Sequence, residues 1–203
     1  MQRPSDFDEV RGYGEQKALE PGGHILRILK VEETTSSTGK PMLIINFDTA
    51  DRDKQPKYYK QRYDADTRQD KKWPGRVWQL TQDPQTGGTN AGFKTFITSV
   101  EKSNSSSFKV LWGDKFCDCF KDKLVGGVFR REQFVSSKGK TAWTTKCIGF
   151  RSVAAIDEGV EVPDDKYLSD EAYDKAHDYG GYPAPNNANV QVPPPGDDDD
   201  YPF

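Results

Sequence analysis

The chain has 203 residues, of which 33% are hydrophobic and 30% are charged, and its mean hydropathy is −0.87. This length suits one domain of ordinary size with an appendage, and the polarity excludes a core built from the whole chain. The first residues form no apolar run, and no stretch approaches the roughly 20 apolar residues that cross a bilayer. We therefore expect no signal peptide, no membrane span and a cytoplasmic protein.

The charge is distributed unevenly along the chain. Residues 163–203 contain two basic and ten acidic side chains, a net charge of −8, whereas residues 1–162 contain 27 and 22, a net charge of +5. A basic body joined to an acidic tail is typical of nucleic-acid-binding proteins that must not be saturated indiscriminately.

The first half of the chain predicts strands. Residues 1–20 are mixed polar and predict an N-terminal arm before a domain that spans 21–162. Residues 24–31 and 42–49 are apolar and rich in β-branched side chains, which predicts two strands. Their connection is too short for a parallel crossover, so we expect an antiparallel hairpin.

The middle of the chain mixes both kinds of element. Residues 58–63 alternate aromatic and basic side chains, residues 76–81 do so more weakly, and both segments predict strands. Residues 92–102 carry apolar side chains at helical spacing and predict a helix, and residues 115–124 predict a second short helix.

Two further strands are predicted over 125–135 and 141–153, joined by a turn at 136–140. The elements show no βαβ alternation and no internal repeat. We therefore expect a mainly β protein, a five-stranded OB-fold-like antiparallel barrel with one or two short helices. A split sandwich is the alternative.

Residues 163–203 predict a flexible acidic tail. From residue 180 the tail is rich in glycine, proline and asparagine, and such a composition cannot bury enough apolar surface to become ordered. A run of acids followed by an aromatic residue, a proline and a final phenylalanine ends the chain. These last residues are Asp197, Asp198, Asp199, Asp200, Tyr201, Pro202 and Phe203.

This ending resembles the C-terminal tip of bacterial single-stranded-DNA-binding proteins. The resemblance implies that the Phe203 ring and carboxylate enter a basic-rimmed apolar pocket on a partner enzyme while the aspartates steer the approach. Tyr201 stands where that family carries an aliphatic residue. The alternative is a solubilising tail that happens to end in an aromatic residue.

Aromatic side chains stand beside basic ones at several places in the domain. Bases of a single strand stack on aromatic rings and its phosphates need cations nearby, so this mixture indicates a single-strand-binding surface. Because alternate strand positions point inward, some of these rings belong to the core. The candidate nucleic-acid-binding residues are Tyr58, Tyr59, Lys60, Arg62, Tyr63, Lys72, Trp73, Arg76, Trp78, Phe129, Arg130, Arg131, Phe134, Lys138, Lys140, Trp143 and Lys146.

The domain also resembles single-stranded-DNA-binding proteins encoded by phages, over about residues 20–155. The likeness lies in the first hairpin, at the entry to its second strand over residues 37–43, and in the strand pair around 138–140. It implies sequence-independent binding and protection of single-stranded DNA during replication, recombination or repair, with no cofactor. A protein–protein adaptor of the replication machinery and an RNA-binding OB-fold protein are the alternatives.

The sequence lacks the motifs expected of a metal site, a nucleotide-binding loop or a catalytic centre. Cys117, Cys119 and Cys147 predict free buried thiols, since a metal site completed by His24 or His177 would match no common zinc spacing. No glycine-rich phosphate loop with its lysine is present, and neither histidine predicts a positioned general base. A metal-dependent nuclease built from scattered aspartates is the least favoured reading, and we expect no enzyme.

Overall fold

A computed structural model describes residue 3 and residues 17–136 and 139–169 of the chain. Most of the predicted arm, Lys138 and the predicted partner-docking tip at 197–203 lie outside the described residues.

Five antiparallel strands form one sheet in the order β3-β2-β1-β4-β5, which confirms the mainly β prediction. Among the described residues no strand ladder joins β3 to β5, so the sheet is open and the predicted closure into a barrel is not seen. The strands are β1 Gly22–Thr35, β2 Pro41–Thr49, β3 Arg76–Leu80, β4 Leu124–Val135 and β5 Thr141–Arg151.

Three α-helices accompany the sheet: α1 Tyr58–Ala65, α2 Ala91–Ser103 and α3 Val153–Glu158. Helix α2 is the helix predicted from the apolar spacing over 92–102. The second predicted helix, over 115–124, shrinks to a single 3-10 turn at Asp118–Phe120. No helix within the described part of the chain is long and apolar enough to cross a membrane.

Helix α1 replaces the strand predicted over 58–63. The Asp48 carboxylate accepts the backbone N–H of Tyr59 at 2.9 Å and that of Lys60 at 3.2 Å, and Thr49 Oγ1 accepts that of Tyr58 at 2.8 Å. The end of β2 therefore satisfies the first N–H groups of the helix, which have no partner inside it. The prediction was wrong because this cap comes from a different element of the fold.

The main core lies between one face of the sheet and helix α2. Alternate residues of β1 and β2 point into this core, where they meet the helix side chains Phe96 and Val100. A smaller cluster lies on the opposite face, where α3 packs Val153 and Ile156 against Ile25 and Ala50. The sheet therefore has one face whose centre α2 covers and an opposite face that α3 covers only in part.

A buried hydrogen-bonded pair, His24 and Asp53, joins the start of β1 to the loop after β2. His24 is fully buried, its Nδ1 lies 2.9 Å from Asp53 Oδ1, and its Nε2 lies 2.8 Å from the Glu20 carbonyl oxygen. Each ring nitrogen therefore lies within hydrogen-bonding distance of an oxygen atom. Asp53 also accepts the backbone N–H of Ile25 and of Gln55. The pair thus fixes three segments of the chain at one point.

Candidate nucleic-acid interface

The two hairpin tips of the sheet carry the same turn. Residues 36–40 and 136–140 share the pattern Ser-Ser-x-Gly-Lys, a short internal repeat that the sequence analysis missed. In the first turn the Lys40 N–H donates to Ser36 Oγ at 3.0 Å, and in the second the Lys140 N–H donates to Ser136 Oγ at 3.2 Å. Both turns also share two backbone hydrogen bonds, Ser36 N–H to Lys40 O and Gly39 N–H to Ser36 O in the first tip.

The glycine of each turn has a positive φ, 74° at Gly39 and 72° at Gly139, which favours glycine over other residues. The serine and the glycine build the turn, but the lysine side chain does not take part in it. No ion pair joins Lys40 or Lys140 to another residue in the described part of the chain. Each tip therefore presents a cation that is available to a phosphate.

A groove of about 420 Å³ lies between the first tip and β3. The pairing of Met42 with Leu80 and of Ile44 with Trp78 places these side chains on the sheet face opposite the main core. The groove has a polar turn on one side and a strip of apolar side chains on the other. The lining includes Ser36, Thr38, Lys40, Met42, Trp78, Leu80 and Pro84.

Arg76 and Trp78 form the most direct contact of a cation with a ring in this region. The Arg76 guanidinium carbon lies 4.9 Å from the centroid of the Trp78 ring, and both residues are half-buried on the same face of β3. Arg76 Nε is buried and makes no hydrogen bond. The sequence predicted both residues; Trp78 lines the groove, and Arg76 contacts its ring without lining the groove itself.

A second group of predicted residues gathers around α1 and the loop before β3. Tyr63 packs against Trp73 with ring centroids 5.4 Å apart, and Lys71 Nζ lies 4.5 Å above the Tyr63 ring. Trp73 is fixed to β2, because its Nε1–H donates to the Phe47 carbonyl at 2.9 Å. These rings, both half-buried, hold α1 against β2.

The other predicted residues of this region differ in exposure. Tyr58 is half-buried against Tyr59, and Arg62 Nη1 donates to its hydroxyl at 3.3 Å. Lys60 is exposed and paired with Asp64 at 2.6 Å, and Lys72 is exposed. None of them borders the groove.

The outer face of the β4–β5 hairpin carries a neutralised cluster. Arg130 donates to Glu132 at 2.5 Å, and Lys146 Nζ lies 3.6 Å from the same carboxylate. Burial works to raise the pKa of Glu132, but the Arg130 hydrogen bond and the Lys146 charge outweigh it, so the pKa is lowered. The charges of Arg130 and Lys146 are therefore partly neutralised by Glu132. Phe134 lies on the same face and is half-buried.

The opposite face of this hairpin is covered by the first residues of the predicted tail. The Lys166 N–H donates to the Arg131 carbonyl and the Gln133 N–H to the Lys166 carbonyl, both at 2.8 Å, which forms a short parallel bridge to β4. Asp165 lies 3.5 Å from Arg131, whose guanidinium carbon lies 4.6 Å from the centroid of the Trp143 ring. Tyr167 packs edge-on against Trp143. Arg131 and Trp143 are thus partly occupied within the chain itself.

Two of the predicted stacking residues belong to the core, which corrects the prediction for them. Tyr59 is 6% exposed and packs on Phe47, and Phe129 is fully buried between Phe47 and His24. Neither ring has a face open to a base. The alternation of aromatic and basic residues does not show which side of an element faces water.

The cysteines are free, as the sequence predicts, but all three are half-buried where buried thiols were predicted. Burial raises the pKa of the Cys147 thiol to about 12, so this side chain behaves as an apolar group that packs beside Phe129. No cluster of histidine, cysteine and carboxylate side chains that could hold a metal ion occurs among the residues that the structure describes.

Comparison of the sequence with protein-family models finds no match. Comparison with curated proteins also finds none. The interface is therefore interpreted from its own geometry and chemistry.

Proposed function

We propose that this protein binds single-stranded DNA without reading its sequence and protects the strand during replication, recombination or repair. The groove beside β3 is the observation that carries the proposal. It combines the Trp78 ring, which the Arg76 guanidinium contacts, a strip of apolar side chains and a hairpin-tip lysine that forms no ion pair among the described residues. A base can stack on the ring, a neighbouring base can contact the apolar strip, and a phosphate can pair with the lysine.

The groove favours a single strand over a duplex. Its strip of Met42, Trp78, Leu80 and Pro84 offers apolar contact to the flat faces of bases, which a duplex keeps stacked inside. Every base has such a face, and two of the hydroxyls that line the groove, those of Ser36 and Thr38, are bonded to each other. Binding through this surface would therefore depend little on sequence.

Replacing Trp78 by alanine tests the groove. A base-stacking ring contributes about 1–3 kcal/mol, so we expect Trp78→Ala to weaken binding to labelled oligo-dT by about 5- to 150-fold in fluorescence anisotropy. Trp78→Phe should lose less. As a matched control, Ile148→Ala removes an exposed apolar side chain on β5, away from the groove, and should leave the affinity unchanged. Equal effects of Trp78→Ala and Ile148→Ala would contradict the assignment.

The lysines at the two tips make a separate prediction about salt. Each phosphate that a cation neutralises contributes about −0.7 to the log–log slope of single-strand affinity against salt. Lys40→Ala and Lys140→Ala should each make the slope shallower by about 0.7, and the double variant by about 1.4. Lys102→Ala, at the exposed end of α2, is the control and should not change the slope. An unchanged slope in the double variant would show that the tips do not contact phosphates.

We further propose that the tip at 197–203 recruits partner enzymes to the coated strand, a proposal that rests on the sequence of the tip. Phe203→Ala removes the ring that would enter the partner's pocket but changes no side-chain charge. It should weaken binding to a replication or repair enzyme by about 30-fold, the effect of losing a hot spot of about 2 kcal/mol, with oligo-dT affinity unchanged. Isothermal titration against such an enzyme checks the first expectation. Weaker DNA binding with partner binding intact would contradict the proposal.

A further inference from the structure

Trp112 is 69% exposed, and its neighbour Leu111 is 50% exposed. Both lie in the loop between α2 and β4. Exposing an indole to this extent is unfavourable unless the ring has another use, because a tryptophan side chain normally buries much of its large apolar surface. The candidate set from the sequence did not include this residue.

The loop that carries Trp112 is held at both sides. Val110 and Phe116 are buried, and Glu101 accepts the Val110 N–H at 3.1 Å and pairs with Lys109. The indole lies nearly parallel to the Phe116 ring, with centroids 5.3 Å apart and an interplanar angle of 18°. One face of the indole is thus supported by a buried ring, and the side chain is presented in a fixed position.

Trp112 is connected to the groove through the end of β3. Its ring contacts Phe93 at the start of α2, with centroids 6.3 Å apart. The N-cap of that helix is Asn90, whose side chain accepts from Gln79 Nε2 at 3.0 Å and whose N–H donates to the Thr81 carbonyl at 3.0 Å. Gln79 lies between Trp78 and Leu80, the two β3 residues that line the groove. The exposed indole therefore lies on the α2 side of the sheet, and these contacts connect it to the edge strand β3, whose Trp78 and Leu80 line the groove on the opposite face.

We infer that Trp112 is a second base-stacking site, onto which a single strand passes as it leaves the groove over the end of β3. This inference rests on the proposed function. A ring that is already fixed on Phe116 loses little conformational freedom when a base covers its outer face, so its stacking is favourable at low entropic cost.

The surroundings favour a nucleobase over a protein partner. Docking surfaces for proteins are contiguous apolar patches of several hundred square ångströms, whereas here two apolar side chains stand among charged and small residues. Gly113, Asp114 and Lys115 follow directly. One exposed ring with a single exposed apolar neighbour fits a ligand of the size of one base.

Two substitutions at this position test the inference. We expect Trp112→Ala to weaken oligo-dT binding by about 5- to 150-fold in fluorescence anisotropy, and Trp112→Phe to weaken it less. Leu111→Ala is the matched control, which removes the adjacent apolar side chain and should leave the affinity unchanged. Because a stacked indole is quenched, the wild type should also lose more emission on saturation with oligo-dT than Trp112→Phe does. This second readout decides the matter even if Trp112→Ala does not fold.

The outcomes separate this inference from the proposed function. Weaker binding in Trp78→Ala together with unchanged binding and quenching in the Trp112 variants would overturn the inference alone. Unchanged binding in both sets would overturn the assignment of the groove as well, whereas a wild type that does not bind oligo-dT would overturn the proposed function. If Trp112→Ala kept full DNA affinity but changed the sedimentation mass of the protein, the ring would be a contact between copies of the chain, and the inference would be wrong.

Discussion

Replacing Phe129 by alanine should lower the free energy of unfolding by about 3–5 kcal/mol, the cost typical of removing a buried phenylalanine ring. The ring is fully buried and packs edge-on against Phe47 at 6.2 Å and His24 at 5.3 Å between centroids. Its removal leaves a cavity at the centre of the sheet, where β1 and β2 cannot move inward without disturbing their ladders. Urea denaturation at neutral pH measures the loss.

Phe134 provides the matched control on the same strand. It lies on the opposite face of β4 and is half-buried, so Phe134→Ala should cost clearly less than Phe129→Ala. A loss in Phe134→Ala as large as that in Phe129→Ala would show that the faces of this strand are wrongly assigned.

Replacing Asp53 by alanine should also cost several kcal/mol, about 1–3 kcal/mol for each buried group that loses its hydrogen bond, because it leaves His24 Nδ1 buried without its carboxylate partner. The backbone N–H groups of Ile25 and Gln55 lose their acceptor in the same step. Asp51→Ala is the control in the same loop: this carboxylate is exposed and pairs with Arg27 at the surface, so the free energy of unfolding should hardly change.

The contribution of Asp53 to the free energy of unfolding should depend on pH. Burial works to raise the pKa of Asp53, but the hydrogen bonds from His24 and the backbone N–H groups outweigh it, and the pKa in the folded protein is lowered. Folding therefore favours the carboxylate, and this contribution is complete above the unfolded pKa of about 3.9 and is lost as the pH falls through the lower folded value. The stability difference between the wild type and Asp53→Ala should narrow below about pH 4. A stability difference that grows as the pH falls below about 4 would contradict the stabilising role of the Asp53 carboxylate.

The sequence predicted those elements whose signal is local. Helix α2 has apolar residues at a clear helical period, and β2 and β4 are long runs of strand-forming residues, so each was found within a few positions. Helix α1 was missed because its N-terminal cap is Asp48, in a strand that precedes it. Whether the sheet closes depends on contacts between β3 and β5, which no local pattern specifies.

Of the candidate site, too, the sequence predicted only some of the residues. Arg76 and Trp78 were found because their neighbourhood in sequence is also their neighbourhood in space. The rest of the groove comes from the pairing of β2 with β3 and from a hairpin tip, neither of which contains the aromatic and basic alternation. Trp112 was missed since its exposure results from the buried anchors on either side of it. Phe129 was included because period two does not show which face of β4 is covered.

Binding of three labelled ligands of equal length, oligo-dT, oligo-rU and a DNA duplex, tests single-strand binding most directly. In fluorescence anisotropy over a range of salt concentrations, we expect oligo-dT to bind more tightly than the duplex. For roughly four to six phosphates neutralised, the log–log slope should be about −3 to −4. Tighter binding of oligo-rU would assign the groove to RNA. A duplex bound as tightly as oligo-dT, or an affinity that does not change with salt, would contradict the proposed function.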